Sequence, residues 1–569
     1  MKKIYFATVL YFLTGSFKAQ SLLFNNLIPS ESINSTGLGV CSDSQGNVFA
    51  TGMFSGKNLD FDPSINTYTL SSYPTSSGGF SEDLYVVKYN KYGSLKWAFN
   101  IGYQNKDIAY DICTDLSDNI IIGGVSKYNM NFNPASIAPY YTSLSTGFIS
   151  KYDNNGNYIW SNTLLGDCNV YGICSDINGN VYATGNFTGQ IYDNNSNTGP
   201  FILSSMPNVY NAFVIKYNSS GQFVWAFSMP SSNNFNSGKK INIDPFGDLI
   251  VVGYFSGSCD FDPSGLVNNL TEHGNSDGFI AKYSNNGSFV WAHNIGGSQP
   301  DEVRNLISDK FGNIYFTGFF GDIGYFNSLS PSYNLVSNGW EDIFLAKFNS
   351  SGSHIWSFNI GAQNSDESTG IALDSSNNVL ITGYFQNNPD FDPSANQVIF
   401  NGGNGNHIYT ARYNPNGQYQ AGFYLKDSLA SAKSNDICID FENNLIITGD
   451  MDGYVDFEPL PNISNVYNSY HTPYIAKYAP TWTSIKEETE EINLSIYPVP
   501  TKTDLNIDFE KQTEANLIVY DSFGKCVLNN IINKNKNIIS ITTFADGIYF
   551  IKVLFKDGSF LTKKIIIIK

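Results

Sequence analysis

GICSDINGNVYATG (172–185) is two short apolar-rich stretches divided by Asp-Ile-Asn-Gly-Asn, and six relatives of it stand elsewhere in the chain, beginning at 39, 111, 240, 305, 370 and 436. Asp or Asn with Gly between alternating apolar residues marks a tight β-hairpin. A second line follows each copy. AFVIKYNSSGQFVWAFSM (212–229) is one example, with relatives starting at 83, 147, 278, 343 and 408, and a short one, PYIAKYAP, at 473–480. Each repeat therefore supplies four strands, A to D. The A–B turn reads D-x-x-G-N and the C–D turn N-x-x-G-x. Self-similarity at a fixed period is the mark of a repeat architecture, and four-stranded units packed radially leave only short, protected sheet edges.

The expected fold is all-β: a seven-bladed β-propeller of four-stranded blades over residues 21–480. Repeat seven stops at Ala479-Pro480, before the strand that carries Trp97, Trp160, Trp225, Trp291 and Trp356 in repeats one to five. The segment SLLFNNLIPSESIN (21–34) reads as an orphan D strand, with FNNLI (24–28) matching WAHNI (291–295) and Phe24 in the tryptophan position. Residues 21–30 are thus expected to complete blade seven. An open β-solenoid would need no orphan strand.

GICSDINGNVYATG and SDGFIAKY (276–283) resemble the SBBP family of bacterial β-propeller repeats. The resemblance covers about residues 22–480 and implies a fold, not a reaction. Repeat six departs from the pattern, with Ala421 for the tryptophan and Arg412 for the lysine.

The 569 residues carry a net charge of −18, with 15% aromatic and 14% charged residues, which suits an ordered, turn-rich β protein. Such an acidic surface repels phosphate backbones, so nucleic acid is excluded as a partner. Lys2 and Lys3 followed by an apolar run from Ile4 to Leu13 read as a signal peptide over residues 1–20, too short for a membrane span. No later stretch has the length and apolarity of a transmembrane helix. Cys41, Cys113, Cys174 and Cys438 recur two residues before an Asp in matching positions, the pattern of small buried strand residues.

After Pro480 the repeat ends. Residues 481–493 form an acidic linker, and 494–569 a small β-sandwich, immunoglobulin-like in strand pattern. Tyr497-Pro498-Val499-Pro500, the strand Asn516–Tyr520, Gly524-Lys525, Asp546-Gly547-Ile548-Tyr549 and Lys563-Lys564 are similar to the type A C-terminal sorting domain of the type IX (Por) secretion system. That resemblance implies handling by the type IX machinery and a secreted or outer-membrane-surface location.

DFDPS occurs at 60–64, 260–264 and 390–394, with the variants NFNP at 131–134 and DFEP at 456–459. Asp60, Asp62, Asp260, Asp262, Asp390 and Asp392 are the metal candidates, with calcium the ion that paired carboxylates suit. The preferred reading is a turn: alternation sends the acids to one side and Phe61, Phe261, Phe391 and Phe457 to the core, and the proline ends strand pairing. The Asp that closes each A strand reads as an Asx-turn, and the Lys of each C strand as a covering or paired cation. Asp301-Glu302 and Asp366-Glu367 read as solvated loop acids. No nucleophile, zinc or dinucleotide motif marks a catalytic residue. The long B–C and D–A connections share one face in a propeller, and Trp340, outside the D-strand series, is the candidate ligand contact there. The reading is a binding or adhesion module for a glycan or surface protein. The alternatives are a polysaccharide hydrolase or lyase, favoured by acids, His or Tyr converging at the channel mouth, and a purely structural surface protein.

Overall fold

The computed structural model describes residues 18–567 except 20, 29–30, 32–33, 76–77, 128–129, 136–145, 194–201, 233–234, 327–333, 428–430, 460–464, 481–482, 485–493, 498–503, 510–514, 522–525, 533–535 and 556–559. The apolar run Ile4–Leu13, most of the acidic linker, Pro498-Val499-Pro500 and Gly524-Lys525 lie outside the described residues. The chain divides into two compact units, Met1–Ile485 and Lys486–Lys569.

The first unit is built of antiparallel meanders, and no helix occurs among the described residues. Repeat one pairs Thr36–Ser42, Val48–Phe54, Asp83–Tyr89 and Leu95–Ile101 in the order A-B-C-D. Repeats four, five and six do the same. Repeats two and three share one long strand, Tyr158–Ser175, which serves as D of the former and A of the latter. In repeat seven, Ser431–Ile439, Leu445–Asp456 and Asn465–Tyr478 are joined by Leu22–Leu27. Phe24 stands opposite Lys477 in the register that sets Trp97 opposite Lys88 and Trp160 opposite Lys151.

Each A strand touches the A strand of the next repeat, and the A strand of repeat seven touches that of repeat one, so the inner strands close a circle. This is a propeller-like arrangement. The B and C strands, flanked by other strands and by neighbouring sheets, are buried along almost their whole length. Their near-continuous Val, Ile, Phe and Tyr runs follow from burial on both faces.

One seam recurs between sheets. The D-strand tryptophan lies on the C–D turn of the next repeat, where a left-handed glycine leaves room: a Cβ on Gly221 (φ +79°) would sit 2.6 Å from Trp160. Trp97 Nε1 and Lys88 Nζ both donate to Asn154 O, at 3.3 and 3.2 Å, and Trp356 and Lys347 likewise share Pro415 O. Phe24 packs on Gly93 in the same way. The C-strand cations pair with the Asp that closes strand A: Lys151–Asp115 at 2.8 Å, Lys282–Asp244 and Lys477–Asp440 at 2.7 Å. Those aspartates also fold the A–B hairpin, as in Asp43, whose Oδ1 accepts the N–H groups of Gln45 and Asn47. Lys216 and Lys347 instead sit over the rings of Tyr182 and Tyr315, and burial pushes their pKa down.

The B–C connections do not simply crown one face. In several repeats they run back along the outer D strand as a small hairpin, such as Leu59–Asp60 with Thr69–Leu70. D-strand amides hold them: Asn100, Asn294 and Asn359 donate to the carbonyls of Ser71, Thr271 and Val336. Covering the outermost strand in this way blunts a sheet edge.

In the second unit Leu494–Tyr497, Asp504–Phe509 and Lys536–Ser540 form one sheet. Cys526–Ile532, Ala515–Asp521, Gly547–Phe555 and Phe560–Ile567 form another. Leu505, Ile507 and Ile539 of the first share one apolar core with Leu517, Val519, Ile551 and Val553 of the second.

Candidate functional site

Every A strand slips register against its B strand at one equivalent position. The residue passed over is Leu38, Tyr110, Tyr171, Lys239, Arg304, Thr369 or Asn435 in repeats one to seven. A bulge of this kind re-aims a side chain out of the sheet. Here the seven bulges stand on the inner strands, and their contacts run round the circle. Leu38 and Tyr110 pack on the cluster of Met53, Ile108 and Val125. Tyr110 and Tyr171 have ring centroids 4.7 Å apart. Lys239 lies over Tyr171 at 4.9 Å and reaches Glu302 at 3.4 Å. Arg304 pairs with Glu302 at 3.3 Å and Glu367 at 2.9 Å. Lys433 lies over Tyr384 at 4.5 Å, and Asn435 Nδ2 donates to Gly37 O at 2.8 Å. This ring of inner-strand bulges, the mouth of the repeat circle, is thus apolar and aromatic on one side and charged on the other.

Its charged side has structured electrostatics. Tyr384 donates its hydroxyl to Glu367. Burial pushes the Glu341 carboxyl up, and the neighbouring charge of Glu367 adds to it while Arg304 opposes it. The His471 imidazole is raised by its hydrogen bond to Asp450, 3.2 Å away. One step deeper, Lys240 reaches past repeat three to Asp111 at 2.7 Å. Gly172 permits this: a Cβ there would meet the Lys240 Cα at 2.8 Å. Burial holds nearby Asp436 at about 6, with Lys240 pulling the other way. Beyond this layer stand Cys41, Cys113, Cys174 and Cys438, all free, their thiols pushed up chiefly by burial.

Trp340 is 78% exposed. It stands at a cleft of about 480 Å³ with Gln299, Ser337, Glu341 and Ser365. Glu341 connects this cleft to the acids of the mouth.

Solvated loop acids at Asp301-Glu302 and Asp366-Glu367 are not what the structure holds. Asp301 is buried and accepts the N–H groups of Gly297 and Gly321, and Asp366 those of Ala362 and Gln386. Burial raises them to about 8 and about 7. Glu302 and Glu367 are the Arg304 partners just described. Sequence reading singled out none of Lys239, Arg304, Glu341 or Tyr384. For Lys239 and Arg304 the signal available was the variation itself: cations at a register that leucine, threonine or asparagine occupies in other repeats.

The DFDPS carboxylates lie in three separate repeats. Asp60 Oδ1 accepts the N–H of Asp62 at 3.0 Å and of Tyr68 at 2.8 Å, and Asp62 Oδ1 that of Ser64 at 2.9 Å. Asp260 and Asp262 repeat this with Asn268 and Ser264, and Asp390 and Asp392 with Val398 and Ser394. Phe61, Phe261 and Phe391 are buried, and their carbonyls accept the hydroxyls of Tyr89, Tyr283 and Tyr413. Among the described residues no group of three or more His, Cys, Asp or Glu has metal-holding spacing.

Residues 495–568 match the model of the secretion system C-terminal sorting domain. An uncharacterized WD repeat-containing protein of Acanthamoeba polyphaga mimivirus is 26% identical over an alignment of 419 residues that covers 61% of this chain; the chain spans only 30% of that relative's length. Among solved structures, PorZ, an essential bacterial surface component of the type IX secretion system of Porphyromonas gingivalis, is 13% identical, with 94% of this chain and 74% of that one covered and a TM-score of 0.25. The extracellular domain of the hybrid two-component system BT4673 from B. thetaiotaomicron is also 13% identical, with 95% and 76% covered and a TM-score of 0.22. The sorting domain marks this chain for export by type IX secretion, to the cell surface or beyond it.

Proposed function

We propose that residues 21–480 are a seven-bladed propeller of the SBBP kind, closed by residues 21–30, exported behind a signal peptide and acting as a binding or adhesion module for a glycan or a surface protein. The ligand is taken on the face where the channel mouth opens. The observation that carries this reading is Trp340: a large indole 78% exposed beside a polar cleft, where a surface tryptophan would otherwise be an unfavourable exposure. The DFDPS carboxylates serve as turn formers whose lone pairs are taken by backbone N–H groups. The test is retention of the full chain on cell-envelope polysaccharide and on envelope protein, side by side with Trp340→Ala. Equal retention of the two proteins would overturn it.

A second reading rests on Glu341, Glu302 and Glu367. Burial raises the Glu341 carboxyl within electrostatic reach of Glu367, which pairs with Arg304 at 2.9 Å and accepts the Tyr384 hydroxyl, so acids and a tyrosine lie in one cluster. A polysaccharide-acting hydrolase or lyase would use such a cluster. Release of new reducing ends or unsaturated ends from envelope polysaccharide, abolished in Glu341→Gln, would establish this chemistry over simple binding.

A further inference from the structure

Two clefts on the flank of the propeller, well apart from the mouth in the fold, occupy the same place in different repeats. The first, about 660 Å³, lies between repeats one and two, and the second, about 560 Å³, between repeats five and six. Both volumes suit a small-molecule site. Three of their walls correspond, and the first cleft adds Tyr68 and Leu70 from the connection of repeat one. The floor of one is Trp97 beside Phe99, stacked at 5.6 Å and 13°; that of the other is Trp356 beside Phe358, at 5.5 Å and 18°. One wall is the C–D turn of the following repeat, Asn155 to Tyr158 in the first cleft and Asn416 to Tyr419 in the second. The opposite wall is the motif with which the B–C connection turns: Asn133-Pro134-Ala135 in one, Asp392-Pro393-Ser394 in the other.

Both walls are set before any ligand arrives. Asn155 N donates to Asp153 Oδ1 at 2.8 Å and Asn416 N to Asn414 Oδ1 at 3.0 Å. Ala135 N donates to Asn133 Oδ1 at 3.0 Å and Ser394 N to Asp392 Oδ1 at 2.9 Å. The proline-tipped motif is thus more than a turn, since it shapes one side of a cleft. Trp160 faces repeat three, which lacks the motif, and is only 8% exposed.

The chemistry of the lining is narrow. Aromatic rings supply flat apolar faces, and Asn, Gln, Ser and Tyr supply donors and acceptors together. The one charged lining group is Asp392. With a net charge of −18 on the chain, an anionic ligand is disfavoured. We infer that these paired flank clefts are binding subsites for an uncharged oligosaccharide, laid with pyranose faces on the aromatic floor and hydroxyls on the amide walls. Two equivalent subsites on one rigid ring give multivalent attachment to a polymer without strong binding at either. The inference is independent of the reading of Trp340.

Isothermal titration of the full chain with cellohexaose, laminarihexaose and xylohexaose, each at millimolar concentration, tests it. The expected result is binding of at least one of them at two equivalents per chain. Asn155→Ala with Tyr158→Ala empties the first cleft, and Asn416→Ala with Gln420→Ala the second. All four side chains are exposed, so folding is kept. Each pair should reduce the stoichiometry from two to one, and the combination should abolish binding, while Trp340→Ala leaves it unchanged. Binding that survives the fourfold variant overturns the proposal, as does failure of all three sugars to bind the unaltered chain. Loss of all binding in Trp340→Ala with the cleft variants silent would overturn it too, and would support the mouth as the glycan site instead.

Discussion

The outer seam and the inner mouth of the propeller are made by the same repeat, yet they treat its symmetry in opposite ways. At the seam repeats one to five each present a lysine, a tryptophan and a left-handed glycine in one register, and the set packs against the next sheet. At the mouth the bulge positions carry Leu38, Tyr110, Tyr171, Lys239, Arg304, Thr369 and Asn435, which change round the circle from apolar and aromatic to cationic and then to neutral polar. Positions that must do the same job in every repeat stay the same. A ring of positions free of that duty is where one side of the opening becomes apolar and the other charged. Shared residues build the ring, and differing residues give it a direction.

The largest test of the seam is at its join. Leu22–Leu27 belongs by sequence to no neighbouring strand, but it covers the C strand of repeat seven, and Ile28 is fully buried. Deleting residues 21–30 uncovers a strand edge and several apolar side chains, each worth about 1.5–3 kcal/mol. The melting temperature should fall on the order of 10 °C. An unchanged value would mean that the join is not part of the cooperative structure.

A smaller effect separates one lysine from another. Lys477 and Asp440 form an ion pair with both side chains almost wholly buried. Lys477→Met strands a buried carboxylate and should cost about 3–5 kcal/mol. Lys216 occupies the same register but has Tyr182 beneath it in place of a carboxylate partner. Lys216→Met should cost about 1 kcal/mol or less. Equal losses by chemical denaturation would show that the seam values the aliphatic stem of the lysine over its charge.

Buried acids give a pH signature. Burial raises Asp83, Asp107 and Asp366 to about 7 and Asp301 to about 8. Their unfolded values lie near 3.9. Between these limits the folded chain holds more protons than the unfolded one, so stability falls as pH rises from about 4 to about 8. Thermal melts should therefore give a higher midpoint at mildly acidic pH than at pH about 8. The opposite slope would mean that the backbone N–H groups around these carboxylates outweigh their burial.

What was legible in the chain follows the same division. The hairpins were legible because D-x-x-G-N and N-x-x-G-x turns need particular residues at fixed spacing, and the structure puts Asp43 and its equivalents in those turns. The sorting module was legible from an ordered set of short motifs. The mouth was not, because a residue such as Arg304 gains its meaning only from Glu302 in its own strand and Glu367 in the next repeat. Asp301 was misread for a related reason. It accepts one N–H from Gly297, four residues before it, but the other from Gly321, 20 residues on, and that second contact is not marked in the local sequence.

The DFDPS turns should show the smallest effect and the most informative one. Each first acid already accepts two N–H groups, and each second acid one. Calcium seeks six to eight oxygens, and a carboxylate pair whose lone pairs serve the backbone offers few of them. Adding calcium or EDTA should therefore leave the melting temperature unchanged, and Asp62→Asn, which keeps the acceptor for Ser64 N, should cost only a few tenths of a kcal/mol. A calcium-dependent rise that disappears in Asp60→Asn with Asp62→Asn would make the motif a metal site. It would also move the repeated motif from the shared, constructive class of residues to the functional one, and the contrast between seam and mouth would then hold for the lysine, aromatic and glycine positions alone.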